Sequence, residues 1–130
     1  MAGNTDFPKK VIIDASTALA FLFPDERSEK IDFFFRSFIE GKVEIFVPEI
    51  FYFEVFNGVK SAILRKRVDK KLAKKLLVNF LKFQIKKKEV DYLQAFELAL
   101  RKNISFYDAS YLALSKANKI PLITLDKQLL

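Results

Sequence analysis

Four carboxylates stand apart from the other acids of this chain by where they fall. Asp14 closes the β-branched run Val11-Ile12-Ile13, and Asp126 closes Leu122-Ile123-Thr124-Leu125. Glu54 lies within an aromatic helical segment, and Asp108 near the start of a later helix. Two acids at strand ends and two on helices would converge over one edge of a sheet. Carboxylates crowded there repel one another unless a divalent cation such as Mg²⁺ or Mn²⁺ compensates, which is the logic of a metal-dependent phosphoryl-transfer site. The chain has no histidine and no cysteine. Imidazole bases, cysteine nucleophiles, thiolate zinc sites and disulfides are therefore excluded.

Three of the four acids have an alternative local role. Asp14 and Asp126 each precede a turn or helix that an aspartate would cap, and Ser105-Phe106-Tyr107-Asp108 has the spacing of a capping box. Glu54 has no such role. Its helical neighbours Ile50, Phe51, Asn57 and Gly58 include no cation, so burying it needs a partner from elsewhere.

The elements that must hold these acids are legible from pattern. Lys10–Asp14 reads as a buried strand followed by a helix that ends before Pro24, and Ser28 caps a second helix running to Glu40. Glu44–Val47 is a second strand. A helix from Glu49 to Arg67 follows, and Asp69 caps another that extends to Ile85. A weakly signalled strand is expected at Glu89-Val90, helices at Tyr92–Lys102 and Ser105–Asn118, and a last strand at Leu122–Leu125. Strands alternating with helices predict an α/β fold with a parallel sheet, whose functional crevice lies outside the carboxyl ends of the strands.

At 130 residues, 51% hydrophobic and 15% aromatic, the chain is sized for one domain, 1–130, behind a polar leader, 1–8. The leader lacks the features of a signal peptide, and no apolar run exceeds the six residues Ala18–Phe23. The expected location is the cytoplasm, with no membrane contact. Of the net charge of +7, the stretch Arg65–Lys88 carries more than the whole, with eleven cations against Asp69. Clustered cations of this kind bind phosphate backbones, and Arg65, Lys66, Arg67, Lys70, Lys71, Lys74 and Lys75 form the candidate RNA-binding surface.

Four segments, Val11-Ile12-Ile13-Asp14-Ala15-Ser16, Glu54-Val55-Phe56-Asn57, Tyr107-Asp108-Ala109-Ser110-Tyr111-Leu112-Ala113-Leu114 and Leu122-Ile123-Thr124-Leu125-Asp126-Lys127-Gln128-Leu129, together resemble the PIN domain, and within it the VapC-type toxins of toxin–antitoxin pairs. The resemblance implies a PIN-like parallel sheet of order 3-2-1-4, the fifth strand missing because the chain stops at Leu130. It also implies a Mg²⁺- or Mn²⁺-dependent endoribonuclease holding one or two ions on Asp14, Glu54, Asp108 and Asp126. Ser16 and Thr124 would orient carboxylates or water, and Asn57 would be an outer partner. The products implied carry a 5′-phosphate and a 3′-hydroxyl. RNA substrate, a cognate antitoxin and a homodimer are the partners implied.

Rival sites fit less well. A receiver domain needs adjacent acids after the first strand, where Asp14 is followed by Ala15, and a haloacid-dehalogenase-type phosphatase needs a second Asp where Ser16 stands. The remaining alternative is a PIN-like module that binds RNA or protein without chemistry, against which all four acids are retained. Phe33-Phe34-Phe35 in one helix spans about 200° of its circumference, so the three rings cannot face one core. With Phe51, Phe53 and Phe56 they cannot all be inward, so some of these rings are expected to meet a partner or a second copy.

Overall fold

A computed structural model of the chain describes residues 7–129, so residues 1–6 of the expected leader lie outside the described part. The order of elements is β1 (Lys10–Ile13), α1 (Ala15–Leu22), α2 (Glu29–Ile39), β2 (Glu44–Val47), α3 (Ile50–Leu64), α4 (Lys70–Phe80), β3 (Lys86–Lys87), α5 (Tyr92–Lys102), α6 (Phe106–Asn118) and β4 (Leu122–Ile123), then a 3-10 turn at Lys127–Leu129. The four strands pair in parallel in the order β3-β2-β1-β4. This is the α/β arrangement and strand order the sequence predicts.

Registers Val11↔Ile45, Ile12↔Leu122 and Val47↔Lys87 align the carboxyl ends of all four strands. Val11, Ile12, Ile13, Ile45 and Val47 are fully buried, as strands covered on both faces must be. Helices α1, α2, α3 and α4 cover the sheet with a phenylalanine-rich layer in which Phe35 stacks on Phe21 at 4.2 Å and Phe80 meets both Phe51 and Phe83. Gly58 lets α3 approach α1, because a Cβ there would stand 2.6 Å from the Leu19 side chain. Helices α5 and α6 form a hairpin on small residues, Ala95, Ala109 and Ala113, with Leu98 between them.

The caps fall where local chemistry puts them. Asp14, Ser28, Asp69, Asp91 and Ser105 each accept a hydrogen bond from the amide three residues on. Four boundaries differ from expectation. The α3 helix ends at Leu64 rather than Arg67. The α4 helix ends at Phe80 rather than Ile85, and the third strand is the two-residue Lys86–Lys87 rather than Glu89-Val90. Its residues are exposed and have no apolar alternation to announce them; pairing with β2 alone creates it. The last strand stops at Ile123, because from Thr124 the chain turns its polar groups to Asp14.

The aromatic expectation divides. Phe34, Phe35 and Phe51 are buried; α2 buries two of its three consecutive rings, with Phe7 packed against Phe33 and Phe34. Phe33 is partly exposed, and Phe53 and Phe56 face outward.

Candidate active site

Asp14 follows β1 directly and is 5% exposed. Its Oδ1 accepts from the Ser16 hydroxyl at 2.6 Å and from the Thr17 amide at 3.2 Å, and its Oδ2 accepts from the Thr124 hydroxyl. The Thr17 hydroxyl has one proton, and the nearer acceptor for it is the Ile123 carbonyl at 3.0 Å. A carboxylate offers about four lone-pair positions, so one remains open on Oδ2. The two polar neighbours are themselves tied down. Ser16 accepts from the Leu125 amide at 3.1 Å and Thr124 from the Asp126 amide at 2.9 Å. Asp14 is thus both the cap of α1 and the anchor that draws the β4 end over β1.

Glu54 sits half-buried in the second turn of α3, with no cation near it. Its partner is the Tyr111 hydroxyl of α6, which donates to Oε1 at 2.6 Å. Burial pushes the Glu54 carboxyl above its ordinary value, the Tyr111 bond opposes this, and the charges of Asp108 and Asp14 push it further up. Asp108, in the first turn of α6, is also raised, first by burial, then by the charge of Asp126 and, more weakly, of Asp14, with the Ser105 hydroxyl opposing. Asp126 lies in the turn after β4, where its Oδ1 accepts from the Gln128 amide at 2.9 Å.

The four acids therefore come within electrostatic reach at the carboxyl end of the sheet. Among the described residues no three acids stand close enough together to form a ready-made cation cage. The donor set nevertheless fits a hard divalent ion: oxygen only, with Asp14 locked in orientation and open lone pairs on Asp14, Glu54 and Asp126.

Of the other expected residues, Ser16 and Thr124 are in direct contact with Asp14. Asn57 is exposed and makes no side-chain hydrogen bond among the described residues, since three residues past Glu54 it stands about 60° further round the helix from the buried face of Phe51, Val55 and Val59. Arg67 is not free for a polyanion, because it pairs with Asp25 at 3.1 Å and Glu26 at 2.7 Å across the α1 end. Arg65 and Lys66 follow the far end of α3, about 16 Å along the axis from Glu54 at 1.5 Å per residue. Lys70, Lys71, Lys74 and Lys75 are exposed on α4. Sequence reasoning missed Tyr111 and Thr17. The signal for Tyr111 was its place one helical turn after Asp108, and for Thr17 its place at the third residue of the helix that Asp14 caps.

A cleft of about 710 Å³ opens between the start of α3, the end of β3 and the α5–α6 hairpin, lined by Phe53, Tyr92, Phe106, Tyr107, Lys87 and Lys88 among others and by none of the four acids. Continuous with it, α5 turns Leu93, Phe96 and Leu100 outward.

Comparison with known proteins places the fold and the family. A family model described as "PIN domain" matches residues 11–130. Ribonuclease VapC3 of Pyrobaculum aerophilum is 29% identical over 124 residues, covering 92% of each chain. Ribonuclease VapC9 of Mycobacterium tuberculosis is 29% identical over 119 residues, 92% of this chain and 87% of that one. Among solved structures, PAE2754 from Pyrobaculum aerophilum superposes with a TM-score of 0.68 at 20% identity, covering 93% of this chain and 82% of that one. VapC20 of Mycobacterium tuberculosis, described as a sarcin-ricin loop cleaving toxin, gives 0.61 at 17% identity over 90% of both.

Proposed function

The chain belongs to the PIN domain family, and from that premise we propose that it is a ribonuclease of the VapC toxin type, with 1–130 acting as a single domain. The reading is an endoribonuclease that hydrolyses RNA phosphodiester bonds with Mg²⁺ or Mn²⁺ held by Asp14, Glu54, Asp108 and Asp126. The observation that carries it is the convergence of the acids at the carboxyl end of the sheet: Ser16 and Thr124 hold Asp14 there, Thr124 also accepting from the Asp126 amide, and the Tyr111 hydroxyl ties Glu54 to the helix that carries Asp108, an arrangement whose mutual repulsion a divalent ion relieves. When bound, such an ion stabilises charge developing on the phosphoryl oxygens and activates a water nucleophile.

The chain's own part is positioning. Ser16, Thr17 and Thr124 hold Asp14 in one orientation, so that it needs no reorganisation when substrate binds. Hydrolysis forms a bond from water oxygen to phosphorus and breaks the bond to O3′, leaving a 5′-phosphate and a 3′-hydroxyl. The direct test is incubation of the purified chain with structured RNA and Mn²⁺, followed by mapping of the new ends. RNA left intact under these conditions would remove the catalytic reading and leave a binding module.

The RNA backbone is read by α4. Replacing Lys70, Lys71, Lys74 and Lys75 together with Gln is expected to weaken RNA binding and to flatten the dependence of log K on log salt by about 3, from roughly 0.7 per phosphate contact on single strands. The turnover of bound RNA should change little, because backbone contacts position the RNA without taking part in the chemistry. An unchanged salt slope would return α4 to the status of a solvated face.

The partners are a cognate antitoxin and a second copy of the chain, in the cytoplasm where RNA is met. Among the described residues no helix is long and apolar enough to cross a membrane. The homodimer face is the outer surface of α5 with its neighbours: Tyr92, Leu93, Phe96 and Leu100 stand at helical spacing beside Phe53, Phe106 and Tyr107, all exposed. Seven large apolar side chains of roughly 100 Å² each approach the about 800 Å² per partner of a standard interface, and a self-complementary apolar patch is what a two-fold dimer buries. Leu93→Glu with Phe96→Glu should convert the dimer to a folded monomer in sedimentation at tens of micromolar. A wild-type chain already monomeric there would rule this face out.

A further inference from the structure

We propose that Tyr111 is a positioning residue for Glu54: its hydroxyl fixes which carboxylate oxygen is presented to the other acids. The inference rests on the metal-dependent reading above. Tyr111 is 1% exposed, and its ring belongs to the main core. Its hydroxyl makes no other hydrogen bond among the described residues than the one to Glu54 Oε1 at 2.6 Å. A buried phenol without a partner is costly, and so is a half-buried carboxylate with no cation beside it. Each group satisfies the other.

The bond also joins two helices whose main packing partners differ. Helix α3 packs chiefly on α1 and α4, whereas α6 packs on α5, β1 and β4. Tyr111 lies one turn after Asp108, so its hydroxyl ties Glu54 to the helix that carries Asp108. With Oε1 occupied, Oε2 is left as the oxygen for a cation. Without the bond, the glutamate regains rotamer freedom that cation binding must then remove. Partners that orient a ligand in this way are worth about 10- to 100-fold in metal affinity.

Tyr111→Phe keeps the ring and removes only the hydroxyl. In the full chain, calorimetric titration with Mn²⁺ is expected to show at least a tenfold loss of affinity, and the Mn²⁺ concentration for half-maximal RNA cleavage should rise by the same factor. The deficit should shrink as Mn²⁺ is raised, which a general loss of structure would not allow. Glu54→Gln, measured alongside, should lose most of the Mn²⁺ binding that Tyr111→Phe weakens. Wild-type Mn²⁺ affinity in Tyr111→Phe, with binding lost in Glu54→Gln, overturns the role of Tyr111 and leaves the metal site standing. Wild-type Mn²⁺ affinity in Glu54→Gln overturns the metal site itself. Should Tyr111→Phe fail to fold, Glu54→Asp withdraws the carboxylate from the hydroxyl while keeping its charge, and undiminished Mn²⁺ affinity in that variant overturns the proposal equally.

Discussion

Glu54→Gln, Asp14→Asn and Asp108→Asn are each expected to lower RNA cleavage by about a hundredfold to a thousandfold, equivalent to roughly 3–4 kcal/mol of transition-state stabilisation, without unfolding the protein. The asymmetry between activity and stability is the informative part. Glu54 and Asp108 have carboxyls raised by burial and by neighbouring acids, so each disfavours the fold when ionised. An amide of the same shape removes that repulsion, and thermal melting at neutral pH should leave Glu54→Gln and Asp108→Asn as stable as the wild type or more so. Asp14→Asn differs. It replaces an acceptor for the Ser16, Thr17 and Thr124 donors by a group with one acceptor oxygen, and should cost about 1–3 kcal/mol. Asp126→Asn should be the mildest in activity, because Asp126 stands in a turn after β4 rather than on a strand or helix. Wild-type cleavage rates in Glu54→Gln would remove the carboxylates from the chemistry.

Chelation is expected to abolish cleavage outright, and added Mg²⁺ or Mn²⁺ to restore it and raise the melting temperature. A ligand at a hundred times its dissociation constant stabilises the fold by about 2.7 kcal/mol. The pH dependence of the metal-free chain follows from the direction of the shifts. The folded protein holds the Glu54 and Asp108 protons more tightly than the unfolded chain does, so their contribution to stability is fully present below the ordinary carboxylate values. It is lost as pH rises through the raised folded values. Metal-free melting temperatures should therefore carry a component that declines above about pH 4.5, and the increment from Mn²⁺ should be larger at pH 8 than at pH 4.5. Cleavage that persists in excess EDTA, or an Mn²⁺ increment that is the same at both pH values, would contradict a site built on these acids.

Much of the frame was legible because it is local. A cap needs a short polar side chain three residues before an amide, and Ser28, Asp69 and Ser105 perform as their positions promised. A strand buried on both faces needs a β-branched run, and Val11-Ile12-Ile13 is one. The third strand was not legible: Lys86 and Lys87 are exposed at a sheet edge, Lys86 reaching Glu44 of the neighbouring strand, and only the open side of β2 makes them a strand. The aromatic residues mark apolar surface without saying which side meets the core. Phe35 and Phe53 are equally hydrophobic, and one is fully buried while the other is 69% exposed.

By itself the sequence determined the chemistry available and the direction of the main chain. Without histidine or cysteine it left carboxylates, lysines, hydroxyls or a recruited cation as the means open to hydrolytic chemistry, with acids closing two strands of an alternating strand-and-helix chain. The tertiary structure alone decided which groups meet. Thr124 reaches Asp14 across 110 residues and Tyr111 reaches Glu54 across 57, while Arg67 is taken from the basic surface by acids 41 and 42 residues earlier. The physical reason is range. Caps, turns and hydrophobic periodicity act over one or two turns of chain, whereas a hydrogen bond between distant elements exists only if packing brings donor and acceptor within about 3 Å at a workable angle, a tolerance smaller than any sequence pattern encodes.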